Sequence, residues 1–180
     1  IEIPERQLVI GDYALQIVVD GEPLLLGAKN GKPHMHVPEG KAYGIKFIND
    51  SDYDAGLEVL VDGLSMFHFA QGSKFTHLIV PRHSNFTIPG WFIDADNSRR
   101  FLVRALDDLS DERKAYLQNY EEVGSIQVLV REAWNVGEQP PVRTGSSSAT
   151  DLGPDVKQKY VSVRKEFGGV KATFSVQYSK

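Results

Sequence analysis

A chain of 180 residues with 41% hydrophobic content carries enough apolar material for one sizeable core, and a single domain spanning 1–180 is the simplest partition. Its net charge of −4 offers no basic field for nucleic acid, and the lack of Cys excludes disulfides and thiolate metal sites within the chain. No apolar run approaches the roughly 20 residues of a membrane-spanning helix.

Gly and Pro rich in number, beside many Phe and Tyr, favour a turn-rich all-β composition. The chain begins at Ile1 rather than Met, which fits a processed product or a fragment, with any signal peptide already missing. Residues 1–7 read either as a frayed terminus or as an extended arm, with Ile1 and Ile3 on one side, able to add a strand to a neighbour's sheet edge. Leu8-Val9-Ile10 is a short strand stopped by Gly11-Asp12. Tyr13, Leu15, Ile17 and Val19 then alternate, turn at Asp20-Gly21, and return through Leu24-Leu25-Leu26 as a hairpin. Asn30-Gly31 signals a second hairpin, and Pro33, lacking an N–H, places its segment at a sheet edge or a strand start.

The stretch from Ala42 to Trp91 organises the chain. Tyr43-Ile45-Phe47 and Leu57-Val59-Val61 alternate with a period of two, the mark of strands with one buried face. Between them lies a loop crowded with Asn and Asp, and Asp62-Gly63 suits a tight turn. Further strands follow at Phe75–Val80, Phe86–Ile88, Trp91–Ile93 and Phe101–Val103. One helix is predicted near 110–122, with Ser110 as N-cap and Asp111 and Glu112 at its positive end. Its apolar face would be Tyr116, Leu117, Tyr120 and Val123, covering the sandwich. A strand from Ile126 runs towards Trp134, and 135–159 is a Pro, Gly and Ser-rich loop, read equally as a contact surface or as a disordered excursion. The two alternating arms around Gly168-Gly169 predict a terminal hairpin. About ten strands and one helix give an antiparallel β-sandwich, jelly-roll-like in outline.

Three constellations could carry chemistry. Asp50, Asp52 and Asp54 alternate in a loop and could turn their oxygens on Ca²⁺, although Gly56 and Val61 miss the EF-hand positions. His34, His36 and Glu39 resemble the first cupin motif, whose two His and one Glu hold a metal; here Pro38 interrupts the segment and the Glu comes too soon. Trp91 and Trp134 could stack on a sugar ring, against the default that such aromatics are core. No Gly-x-Ser-x-Gly elbow or phosphate loop is present, so no catalytic residue is assigned. Asn49-Asp50-Ser51 and Asn85-Phe86-Thr87 match the glycosylation sequon.

Tyr43-x-Ile45-x-Phe47-x-Asn49, Val59-x-Val61-Asp62-Gly63, Ile88-x-Gly90-Trp91 and the last strand ending at Tyr178 resemble a poorly characterised family of bacterial and viral β-sandwich proteins. The resemblance covers about half the chain, and the stretch from Asp107 to Val123 departs from its short turn-linked pattern. It implies a fold and no established catalytic residues. The resulting expectation is a non-enzymatic structural or interaction module, a subunit of a virion, capsid-surface or extracellular assembly with protein partners. Its alternatives are a carbohydrate-binding module with structural Ca²⁺, and a cupin-like metalloenzyme. The leading expectation requires no cofactor, with calcium as a possible one; the cupin-like alternative would need a metal on His34, His36 and Glu39.

Overall fold

A computed structural model describes residues 5–70, 75–115, 123–137 and 160–179. The chain starts with β1 (Leu8–Ile10), β2 (Tyr13–Val19), β3 (Glu22–Pro23), β4 (Gly27–Lys29) and β5 (Lys32–His36). The central pair is β6 (Ala42–Asn49) and β7 (Asp54–Val61), followed by β8 (Leu64–Ser65), β9 (Leu78–Val80) and β10 (Ser84–Ile88). Then come β11 (Gly90–Phe92), β12 (Ser98–Leu102), a short 3-10 turn (Leu106–Asp108) and α1 (Asp111–Lys114). Two long strands, β13 (Ser125–Asn135) and β14 (Lys165–Ser179), complete it.

These strands form two sheets. In the first, β1-β2-β6 runs to β10 along one half of β6 and to β12-β11 along the other, with β3 beside β2. The second has the order β4-β5-β14-β13-β7-β8, with β9 also beside β7. All pairings are antiparallel except β5 with β14. The protein is therefore an all-β sandwich, as the alternation predicts. Buried positions alternate along β6 and β13, so Ile45 and Phe47 meet Val128, Val130 and Phe174 between the sheets. Phe47 and Phe174 pack edge to face across the gap, at 6.3 Å between centroids. Each such fully buried side chain favours the fold by about 1.5–3 kcal/mol over its exposed form.

The turns follow the dipeptides. Asp20-Gly21, Asn30-Gly31 and Asp62-Gly63 all hold positive φ at both positions, as two-residue hairpin turns of this hand require. Gly90 serves a different purpose, because a Cβ there would collide with the Arg99 carbonyl where β11 crosses to β12.

Three expectations change. There are fourteen strands among the described residues rather than about ten, since several runs break into short pieces at Pro and Gly. Gly168-Gly169 is no hairpin. Lys165–Ser179 is one continuous strand along β13, and the glycines lie where the register slips between Arg131 and Ala133. Of the predicted helix only α1 falls on described residues; Ser110 caps it, its Oγ accepting from the Arg113 N–H at 3.3 Å. Tyr116, Leu117 and Tyr120 lie outside the described residues, as do residues 1–4 of the arm and most of the 135–159 loop.

Candidate functional site

The acidic loop is built around Asn49, which is 1% exposed at the end of β6. Its Nδ2 donates to the carbonyls of Tyr53, Val80 and Pro81, and its Oδ1 accepts from the Ser51 N–H and Oγ–H. The first sequon is thus spent on structure, while Asn85 on β10 is exposed. Asp50, Asp52 and Asp54 do not converge. Asp52 and Asp50 hold the two ring nitrogens of His83, at 2.8 and 3.5 Å. Asp54 instead accepts from the Arg82 N–H and guanidinium and from Lys165 Nζ. Burial opposes the Asp54 charge, but these hydrogen bonds outweigh it and hold the carboxyl below its usual range. Among the described residues no three His, Asp or Glu side chains are grouped for a metal ion.

His83 sits in the left-handed region, at φ 50°, which aims its ring back over the loop. Donation from the ring to Asp52 first, and to Asp50 as well, raises its pKa above the ordinary 6.5. A group raised in this way stabilises the fold fully below its ordinary pKa, and the contribution fades as pH rises through the raised value. Asp52→Asn is expected to bring the His83 titration back towards 6.5, read from its imidazole signal by NMR. An unchanged midpoint would rule out the Asp52 carboxylate as the cause.

The cupin-like residues are dispersed. His34 Nε2 lies 3.0 Å from Ser179 Oγ, His36 is exposed, and Glu39 accepts from the Ala105 N–H. Trp134 lies over Gly168 on the β13–β14 ladder and donates its indole N–H to Glu166. Trp91 is differently placed. It lines an open groove of about 600 Å³ together with Arg99, Arg100, Arg104 and Arg113.

Behind that groove is a cluster that no sequence motif announces. Asp62, held at φ 52° by its turn, accepts from the Gly124 N–H at 2.7 Å and from the Tyr178 hydroxyl at 2.8 Å. Its other oxygen accepts from Arg113 at 3.2 Å, and the Arg113 guanidinium lies 6.0 Å over the Trp91 ring. Tyr43 is wholly enclosed beside Tyr178. Burial first, then the neighbouring Asp62 charge, pushes the Tyr178 hydroxyl far above the ordinary tyrosine range, and burial does the same to Tyr43. Tyr43, the Asp62-Gly63 turn, Trp91 and Tyr178 each stand out in the sequence, but nothing there joins them.

A second surface is backbone. β13 covers one side of β14 along its length, but β5 covers the other side only at Gln177–Ser179. The Tyr178 N–H donates to the Gly124 carbonyl on the β13 side, while the Ser179 carbonyl accepts from Val37 on the β5 side. Strand groups alternate in direction. With no register slip from Ala172 onward, Thr173 and Ser175 therefore aim both N–H and C=O away from β13. No strand among the described residues pairs with them there. Val170 is exposed on the same strand.

The chain was compared with protein-family models, curated proteins and solved structures. It matches none of them.

Proposed function

We propose that this protein is an interaction module that assembles with copies of itself by pairing strands along the open edge of β14. Its setting is a virion, capsid-surface or extracellular assembly. The observation that carries the reading is the outward backbone of Thr173 and Ser175, which no strand among the described residues pairs, on a strand engaged with β13 along its other side. An open edge offers the same donors and acceptors on every copy. Two copies meeting antiparallel about a two-fold axis satisfy both edges at once. The exposed Val170 on the same strand supplies apolar contact, and Lys171 is the single charge between Val170 and Ser175.

The test removes one outward donor. Thr173→Pro deletes an N–H that does not belong to the β13 ladder, and edge positions tolerate proline. The expected result is a dimer or larger species of the parent at micromolar concentration by sedimentation. In the variant, association falls by about tenfold or more, for the loss of one interstrand hydrogen bond and its neighbours. Its circular dichroism should stay that of the parent. A parent that remains monomeric at every concentration reached, or a folded variant that associates equally well, would remove the reading.

A further inference from the structure

We infer that the groove at Trp91 binds an acidic saccharide, one bearing carboxylate or sulfate groups. This rests on observations separate from the β14 edge. The groove has four guanidiniums against two carboxylates among its lining residues, a local excess of positive charge on a chain whose net charge is −4. Two of these are engaged. Arg99 pairs with Glu112 at 2.9 Å, and Arg113 with Asp62 beneath Trp91. Arg100 and Arg104 are exposed and have no partner among the described residues. The buried Nη1 of Arg113 also has no hydrogen-bond partner among them. Guanidinium forks match carboxylate and sulfate oxygens in two-point contacts, so the exposed Arg100 and Arg104 are donors open to an anion.

The remaining lining residues select a sugar over a simple anion. Trp91, half-buried, presents an indole of the kind on which saccharide rings stack. Asp108 and Glu112 on the same groove are acceptors for hydroxyl groups, which a saccharide supplies all along its length. Phe69 and Phe101 buttress Trp91 edge to face at 5.2 Å each, and Asp62 pins Arg113 from below. The recognition surface is therefore set before a ligand arrives, which lowers the ordering cost of binding.

The test uses the full chain and its two indole N–H signals in a nitrogen–proton NMR spectrum, assigned with Trp134→Phe. The probes are a galacturonic acid trimer, a heparin tetrasaccharide, maltotriose, inorganic sulfate and a short single-stranded oligothymidylate. At least one acidic saccharide is expected to shift the Trp91 signal and leave that of Trp134 in place. The paired change Arg100→Gln and Arg104→Gln, both exposed, should weaken that binding by about tenfold or more, the scale of lost charge-assisted hydrogen bonds. Which acidic probe binds tells uronate from sulfated sugar. Silence from both acidic probes at millimolar concentration overturns the inference. So does maltotriose, sulfate or oligothymidylate binding as tightly as the acidic sugars, or full affinity in the paired variant.

Discussion

Asp62→Ala is expected to lower the free energy of unfolding by about 3–5 kcal/mol, the cost of stripping one partner from an enclosed ion pair. The side chains of Asp62 and Arg113 are 13% and 12% exposed, so water cannot replace what is lost. The substitution also orphans the Tyr178 hydroxyl and the Gly124 N–H, and it places an alanine at φ 52°, where a Cβ is strained. Urea titration measures it. Asp62→Asn separates the parts, because it keeps two acceptor sites and a side chain tolerant of that φ while removing the charge. Its loss should be smaller than that of the alanine variant. Equal stability of Asp62→Ala and the parent would show that the cluster does not hold β7, α1 and β14 together.

Asn49→Ala should cost about 2–4 kcal/mol, since buried acceptors and donors left unmade cost roughly 1–3 kcal/mol each and the losses do not add fully. One amide there ties the end of β6 to the β6–β7 loop and to the chain leaving β9. The isosteric Asn49→Asp discriminates between packing and hydrogen bonding. It fills the same space yet turns a carboxyl group towards three carbonyls, so it should be at least as damaging as alanine. A stable aspartate variant would mean that volume, rather than the amide, is what the loop needs.

The sheets were legible because their signals are local. Tyr43-Ile45-Phe47 and Leu57-Val59-Val61 declare a buried face by period alone, and Asp20-Gly21, Asn30-Gly31 and Asp62-Gly63 declare turns by the φ they tolerate. Gly168-Gly169 carries the same local signal as a turn, but the ladder to β13 continues past it on both sides, and those tertiary contacts override the dipeptide. The site was legible in part. Trp91 was singled out, yet its arginines were not, because Arg99, Arg100, Arg104 and Arg113 come from β12, the chain after it and α1. Nothing in a linear reading places Asp62 beside Tyr178, which are 116 residues apart. The Asp50, Asp52 and Asp54 spacing reads equally well as a cation loop or as a set of ion-pair partners. What separates the two is where His83, Arg82 and Lys165 fall in space.

The parallel pairing of β5 with β14 bears on how the molecule comes into being. His34 and Ser179, in contact there, are 145 residues apart in the chain. One flank of the second sheet therefore has no seat until the last strand has docked against β13. Early segments must wait for late ones, and topologies dominated by such distant partners fold in milliseconds to seconds rather than microseconds. During that interval β5 and β13 both stand with bare flanks, so newly made copies are most exposed to one another before β14 arrives.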